Sequence, residues 1–183
     1  MLSAIIATRE SERTLVPTLA ALVPGALSGL VIEVIVADGG SRDATREVAD
    51  VAGCRFLSSQ AALGARLKQA AVLARAPWLL FLRAGTVPEP SWITAVGRFI
   101  EEARNNNNGG QRTAAFRAQT SDGVRNLLGA IRPPGPDQGL LISRAHYDAL
   151  GGHADGDDCE RRLLRRLGWR LGKLAAKAMP PQR

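Results

Sequence analysis

The run Val31-Ile32-Glu33-Val34-Ile35-Val36-Ala37 ends in Asp38-Gly39-Gly40-Ser41-Arg42-Asp43-Ala44-Thr45. An apolar, β-branched stretch thus stops at a carboxylate, two glycines and a helix-starting sequence. This is how an α/β protein presents a binding loop at the C-terminal edge of a parallel strand. The glycine pair lets the backbone turn and come close to a ligand, and Ser41 and Asp43 can cap a helix beginning near Ala44. A plain strand-to-helix turn with Asp38 as its cap fits the same residues. A second acidic group, Asp155, Asp157 and Asp158, precedes a long helical pattern, where the positive end of the helix dipole favours carboxylates. Cys54 and Cys159 are too few and too far apart for a metal knuckle or a redox pair, and read as ordinary thiols.

These residues need a scaffold, and the order of its elements is legible. Leu2 to Ala7 is a short apolar strand, Thr8 to Glu12 a polar loop, and residues 13–23 carry Leu15, Leu19 and Leu22 at helical spacing. Residues 31–37 read as the second strand, 43–52 as a helix with Val48 and Val51 facing inward, 54–58 as a third strand and 62–75 as a helix. Trp78-Leu79-Leu80-Phe81-Leu82 is the most continuous apolar run, as expected of a central strand covered on both faces. After Arg83-Ala84-Gly85-Thr86-Val87-Pro88, a helix is predicted from about Pro90 to Arg104.

This alternation predicts right-handed crossovers and a single α/β domain with a mostly parallel, doubly wound, Rossmann-like sheet flanked by helices. The loops after the first, second and fourth strands then meet at one edge. Residues 105–112, opening with Asn105-Asn106-Asn107-Asn108-Gly109-Gly110, read as a flexible polar connection without chemistry. Thr113 to Ala118 and Gly139 to Ser143 read as strands on either side of a Pro-rich turn at 132–136. Beyond Glu160, Leu163, Leu164, Leu167, Leu171 and Leu174 follow helical spacing, with Arg161, Arg162, Arg165, Arg166, Arg170, Lys173 and Lys177 on other faces. They predict a basic amphipathic helix over 161–179. It either packs its leucines on the domain or lies on an anionic membrane or a protein partner, with Trp169 at the membrane interface.

Composition sets the outer bounds. A chain of 183 residues, 45% of them hydrophobic, is long enough for one domain with a substantial core. No apolar run approaches the ~20 residues that span a bilayer, and Met1 leads into Leu2 to Ala7 without the basic start of a signal peptide. A cytoplasmic protein is expected, peripheral at the inner face of the membrane if the C-terminal helix docks there. The formal charge of +7, from 24 Lys and Arg against 17 Asp and Glu, is concentrated after Glu160. With 4% aromatic residues and no zinc or RNA-binding signature, nucleic acid is not the expected partner.

In order along the chain, these segments resemble the family 2 glycosyltransferases, nucleotide-sugar enzymes of the GT-A fold, and especially small bacterial members with a DGGS loop. Ala7-Thr8-Arg9-Glu10 is similar to the family's opening loop, and Val34 to Asp43 to its V-V-D-G-G-S-x-D segment. Trp78 to Pro88 resembles W-L-L-F-L-H-A-D-T-x-x-P, and Ala115-Phe116-Arg117 resembles G-A-F-R. Asp137-Gln138-Gly139-Leu140 and Leu150-Gly151-Gly152 resemble G-D-Q-G and L-G-G-F.

The resemblance implies a nucleotide-binding half over 1–104 and an acceptor-side half over 113–160. It implies that Asp38 recognises the nucleotide base, accepting the imide N–H if the base is uracil, with Thr8, Glu10 and Gly39 beside it. It implies inverting transfer of a sugar from a nucleotide-sugar, such as a UDP-sugar, to an acceptor hydroxyl whose identity stays open. Asp158, and next Asp157, would take the hydroxyl proton. The family holds Mg²⁺ or Mn²⁺ through an acid after the fourth strand, but that position here is Gly85, so no metal ligand is assigned. Arg83 can offer a guanidinium fork to a diphosphate instead, or simply face solvent. Arg66 and Lys68 stand where the family tends to show an Arg or Gln and an Asn near the phosphates; they can reach the ligand or, as is the commoner outcome, lie on a solvated helix face. The alternative is a glycosyltransferase-like binding or scaffold protein that has lost its metal site.

Overall fold

The computed structural model describes residues 1–105, 113–118, 134–168 and 171–181. Its centre is three parallel strands: β1 (Leu2–Thr8) lies between β2 (Val31–Asp38) and β4 (Trp78–Arg83), and β3 (Arg55–Ser58) extends the parallel set beyond β2. Helices α1 (Glu12–Leu27), α2 (Thr45–Val51) and α3 (Leu63–Leu73) supply the crossovers. The sheet has eight strands in the order β3-β2-β1-β4-β7-β6-β8-β5. Its second half is mixed: β7 (Leu140–Ser143) runs antiparallel to β4 and to β6 (Thr113–Ala118), and β8 (Leu171–Met179) runs parallel to β6. The two-residue β5 (Val87–Pro88) closes the far edge.

Side chains alternate across a strand, so the central strands feed two cores. Ala4, Ile6, Leu80 and Leu82 pack with Leu15, Leu19 and Leu22 of α1 and with Trp92, Val96 and Ile100 of α4 (Trp92–Asn105). On the other face, Ile5, Leu79 and Phe81 pack with Leu67, Ala70 and Ala71 of α3, Tyr147 of α5 (Arg144–Ala149), and Leu163 and Leu167 of α6 (Cys159–Leu167). Burial on both faces is why β1, β2 and β4 read as near-continuous apolar runs.

Two expectations are corrected. In α2 the inward residues are Thr45 and Ala49, whereas Val48 is half-buried and Val51 is 92% exposed. The larger correction is at the C-terminus, where the helix expected over 161–179 stops at Leu167. Gly168, at φ 50°, ends it, as a glycine past the last turn commonly does. Residues 171–179 are then a strand in which Leu174, Ala176 and Ala178 are buried and Lys173, Ala175 and Lys177 are exposed. The leucine spacing therefore spans two elements, and Leu163, Leu167 and Leu174 belong to the core. No continuous basic amphipathic helix remains to lie on a membrane. Trp169 and Arg170 fall outside the described residues, as do 106–112 of the expected polar connection and the start of the Pro-rich turn. No helix among the described residues is long and apolar enough to cross a membrane.

Candidate functional site

The parallel register sets Thr8, Asp38 and Ser58 side by side at the C-terminal ends of β1, β2 and β3. Asp38 is fully buried. Its Oδ1 accepts from Thr8 Oγ1 at 2.9 Å and Ser41 Oγ at 2.5 Å; its Oδ2 accepts from Gly40 N at 2.8 Å, Ser41 N at 2.9 Å and Ser58 Oγ at 3.0 Å. Burial alone would raise its pKa, but these bonds, led by those from Ser41, outweigh it and hold the carboxyl below the ordinary carboxylate range. Five donors fill the acceptor sites of a carboxylate. Asp38 therefore binds its own loop through both carboxylate oxygens. Gly40, at φ 81°, makes the tight turn that aims two amides at one oxygen.

The β1 loop is tied to this turn. Glu10, the one non-glycine residue with positive φ among the described residues (48°), donates its backbone N–H to Ser41 Oγ at 2.8 Å, and its Oε1 accepts from Arg42 N at 3.0 Å. The N-cap position of α2 is Ala44, which makes no side-chain cap bond; Asp43, one residue earlier, accepts from Thr45 N at 3.1 Å and from Glu12 N at 3.0 Å and so ties the start of α2 to the start of α1. Ser41 is drawn into the Asp38 cluster instead.

Arg66 departs from expectation in a way that builds the site. It is buried, not on a solvated face, and its Nη1 donates to Ala37 O at 2.8 Å and Thr8 O at 3.2 Å. Its Nε donates to Ala61 O at 3.2 Å. The guanidinium underlies Gly39: a Cβ there would stand 3.2 Å from the guanidinium carbon and both terminal nitrogens. Burial lowers its pKa from the ordinary guanidinium value, while the Asp38 and Asp157 charges oppose that. Lys68 is exposed, as expected. Above Gly39 opens a polar cleft of about 450 Å³ lined by Arg9, Glu10, Arg42, Arg66 and Asp157, among others.

The acidic pair is split. Asp157 Oδ1 accepts from Leu63 N at 3.1 Å, at the start of α3 on the cleft wall. Asp158 is exposed at the start of α6 and makes no capping bond. The carboxylate that meets Arg83 is Glu160, which was missed because it is a single acid leading an arginine-rich helix. Arg83 Nε donates to Glu160 Oε2 at 2.9 Å, Nη2 donates to the same oxygen, and Nη1 donates to Asp137 Oδ1 at 3.3 Å. Burial pushes the Glu160 carboxyl above the ordinary carboxylate range despite Arg83. Burial pulls the other way on Arg83, where Glu160 prevails and holds the guanidinium above its ordinary value. Behind Glu160 is a slot of about 10 Å³ that also meets His153, Phe81 and Leu164. His153 is buried, its Nδ1 lies 2.9 Å from Tyr147 Oη, and its Nε2 has no partner. A further hollow of about 300 Å³ between α4 and β8 touches none of the β1, β2 or β4 loops.

Gly85, at φ 90°, has no ligand to offer, and a Cβ on it would come within 2.9 Å of Pro181 Cβ and 3.0 Å of Pro181 Cα. The neighbouring acids, Glu160 and Asp137, are engaged by Arg83. Among the described residues there is no group of three or more His, Cys, Asp or Glu that could hold a metal ion. These residues do not fit a divalent cation at the position after β4.

Parallel strands that deliver their loops to one polar cleft, continued by an antiparallel β7 and a mixed far half, define an α/β domain of the GT-A class. The chain belongs to glycosyltransferase family 2, whose family model, "Glycosyl transferase family 2", matches residues 3–166. No curated protein matches it. It is similar to the crystal structure of glucosyl-3-phosphoglycerate synthase from Mycobacterium tuberculosis in complex with Mn²⁺, UDP and glucosyl-3-phosphoglycerate, with a TM-score of 0.71 at 21% identity, covering 100% of this chain and 72% of that one. It is also similar to S. aureus TarS 1–349 in complex with UDP-GlcNAc, with a TM-score of 0.76 at 14% identity, covering 100% of this chain and 58% of that one. At these identities the likeness shows the fold.

Proposed function

We propose that this chain is an inverting glycosyltransferase domain that takes a UDP-sugar as donor. The observation that carries the reading is the Asp38 loop. A saturated, buried carboxylate and the Arg66 guanidinium together hold Gly39 and Gly40 as the floor of a polar cleft at the ends of parallel strands. Such a cleft is where open α/β sheets bind ligands. The nucleotide would lie over Gly39 between Glu10 and Arg66, with Asp38 and Thr8 as positioning residues that shape the loop. The acceptor hydroxyl would attack the anomeric carbon from the side opposite the nucleotide. As that C–O bond forms, the bond from the anomeric carbon to the diphosphate oxygen breaks, the nucleoside diphosphate leaves, and the hydroxyl proton passes to a carboxylate. That carboxylate is Asp158 in this reading, since it makes no capping bond, with Asp157, which lines the cleft and accepts from Leu63 N through Oδ1 alone, as the next choice.

A second reading, a binding or scaffold protein without transfer, is favoured by one observation: the covered Gly85 position. Calorimetric titration with UDP, UDP-glucose and UDP-GlcNAc tests the common ground of both readings, beside an Asp38→Ala control. Binding by the wild type that disappears in the variant supports the nucleotide cleft, and no binding by the wild type overturns it. Release of UDP from the bound donor in the presence of acceptor hydroxyls separates an enzyme from a binding protein.

A further inference from the structure

At the end of β4 this chain carries the Arg83 guanidinium, two residues before Gly85. The two partners of that guanidinium are unequal. Glu160 is buried and takes both Nε and Nη2, fixing the direction of the fork. Asp137 takes Nη1 through one bond of 3.3 Å, and its side chain is 51% exposed, free to turn into solvent. The Gly85 position, by contrast, is closed on three sides. Its φ of 90° disfavours any side chain, its amide is held by Thr18 Oγ1 at 2.8 Å, and Pro181 packs where a Cβ would go. Pro181 is held there by β8, which pairs with β5 at Val87↔Met179 and Pro88↔Ala178, and by mutual bonds between Glu89 and the Lys177 backbone.

We propose that donor binding by this chain needs no divalent cation, and that the Nη1 edge of Arg83 donates to a diphosphate oxygen after releasing Asp137. The inference rests on the nucleotide-binding reading above. Arg83, Glu160 and Asp137 together carry a charge of −1 when all are ionised, which repels a diphosphate. With Asp137 turned out, the Arg83–Glu160 pair is neutral and presents oriented N–H donors, and guanidinium forks match phosphate oxygens well. The exchange replaces one charge-assisted bond by another, so it requires no rearrangement of the buried half of the cluster.

Calorimetry with UDP and with uridine, first in EDTA and then with Mn²⁺, tests this. The expected result is UDP binding in EDTA with a Kd that Mn²⁺ changes less than about twofold. Asp137→Asn removes the competing charge at an exposed position and should tighten UDP by about tenfold without altering uridine, since bonds to charged groups are worth that order. Arg83→Gln should weaken UDP by a similar factor and leave uridine unchanged. UDP binding that appears only with Mn²⁺ overturns the proposal while the donor cleft stands, and an Asp137→Asn variant no tighter than wild type also overturns it. UDP binding under neither condition removes the nucleotide reading and the proposal with it.

Discussion

Asp38 has its charge satisfied before any ligand arrives, so its replacement should act on the loop first and on affinity through the loop. Asp38→Asn keeps the shape but sets an amide NH₂ against hydroxyl and backbone donors at 2.8 to 3.0 Å. Breaking a buried network of this kind typically costs about 2–4 kcal/mol, and the melting temperature and UDP affinity should fall together. Its depressed pKa also has a sign. The stabilisation is complete above the unfolded carboxylate range and is lost as pH falls through the lower folded value. His153 adds to acid sensitivity by the opposite chemistry. Burial pushes its pKa down to about 4 from 6.5, so the unfolded chain binds the extra proton between those values, and stability drops as pH is lowered through that window. The full effect is about 3 kcal/mol. Its Tyr147 hydroxyl accepts from the His153 backbone N–H at 3.2 Å, which leaves the phenolic proton for Nδ1. The neutral ring then carries its own proton on the unpartnered Nε2. Urea unfolding of His153→Phe between pH 7 and 4 should show a flatter stability profile than the wild type, and an identical slope would sink this assignment.

At the scale of elements, α1 and α4 meet through one close approach. Trp92 is buried, its Nε1 donates to Ala21 O at 3.0 Å, and a Cβ on Gly25 would lie 2.6 Å from its ring. Gly25→Ala relieves helix propensity by about 1 kcal/mol but forces the indole out of place, and overpacking of this kind costs about 1–3 kcal/mol. The net expectation is a lower midpoint in chemical denaturation despite the better helix former. The central strands were legible because a strand covered on both faces writes an unbroken apolar run, and the loop at Asp38 because a carboxylate and two glycines end that run. β8 was not, because Leu163 to Leu174 satisfy a helical period while Leu174, Ala176 and Ala178 equally satisfy a period of two. The choice was made by β6 and β5, whose edges needed a partner. Arg66 and Glu160 were illegible for a related reason: each sits in a polar helix segment, and only the docking of α3 and α6 over the strand ends buries them. Val51 failed in the reverse sense, an apolar residue in the last turn of a seven-residue helix that leaves the sheet before covering it.

The whole molecule is closed by its C-terminal strand, and this distinguishes it from a nucleotide-binding half with a basic appendage. β8 lies between β6 and β5, buries Leu174, Ala176 and Ala178, and leads to Pro181, which packs on Gly85 just beyond β4. Removing residues 169–183 would strip a partner from β6, which pairs with β7 on its other side, and would leave β5 with none among the described residues. An unpaired strand edge backed by apolar side chains recruits other chains. The truncated protein should melt at a lower temperature and elute as aggregate in size-exclusion chromatography, with UDP affinity lost alongside the fold. A surface helix held only by its own propensity would behave differently, since its deletion would leave the melting temperature and the elution volume close to those of the intact chain. That result would show that the strand contributes nothing to the core, and would also reopen the Gly85 position. A truncated protein that stays folded and gains a Mn²⁺ requirement on Gly85→Asp would then place the cation site under the tail, whereas collapse of the truncated chain shows that the strand that brings Pro181 to Gly85 is also the one that completes the sheet.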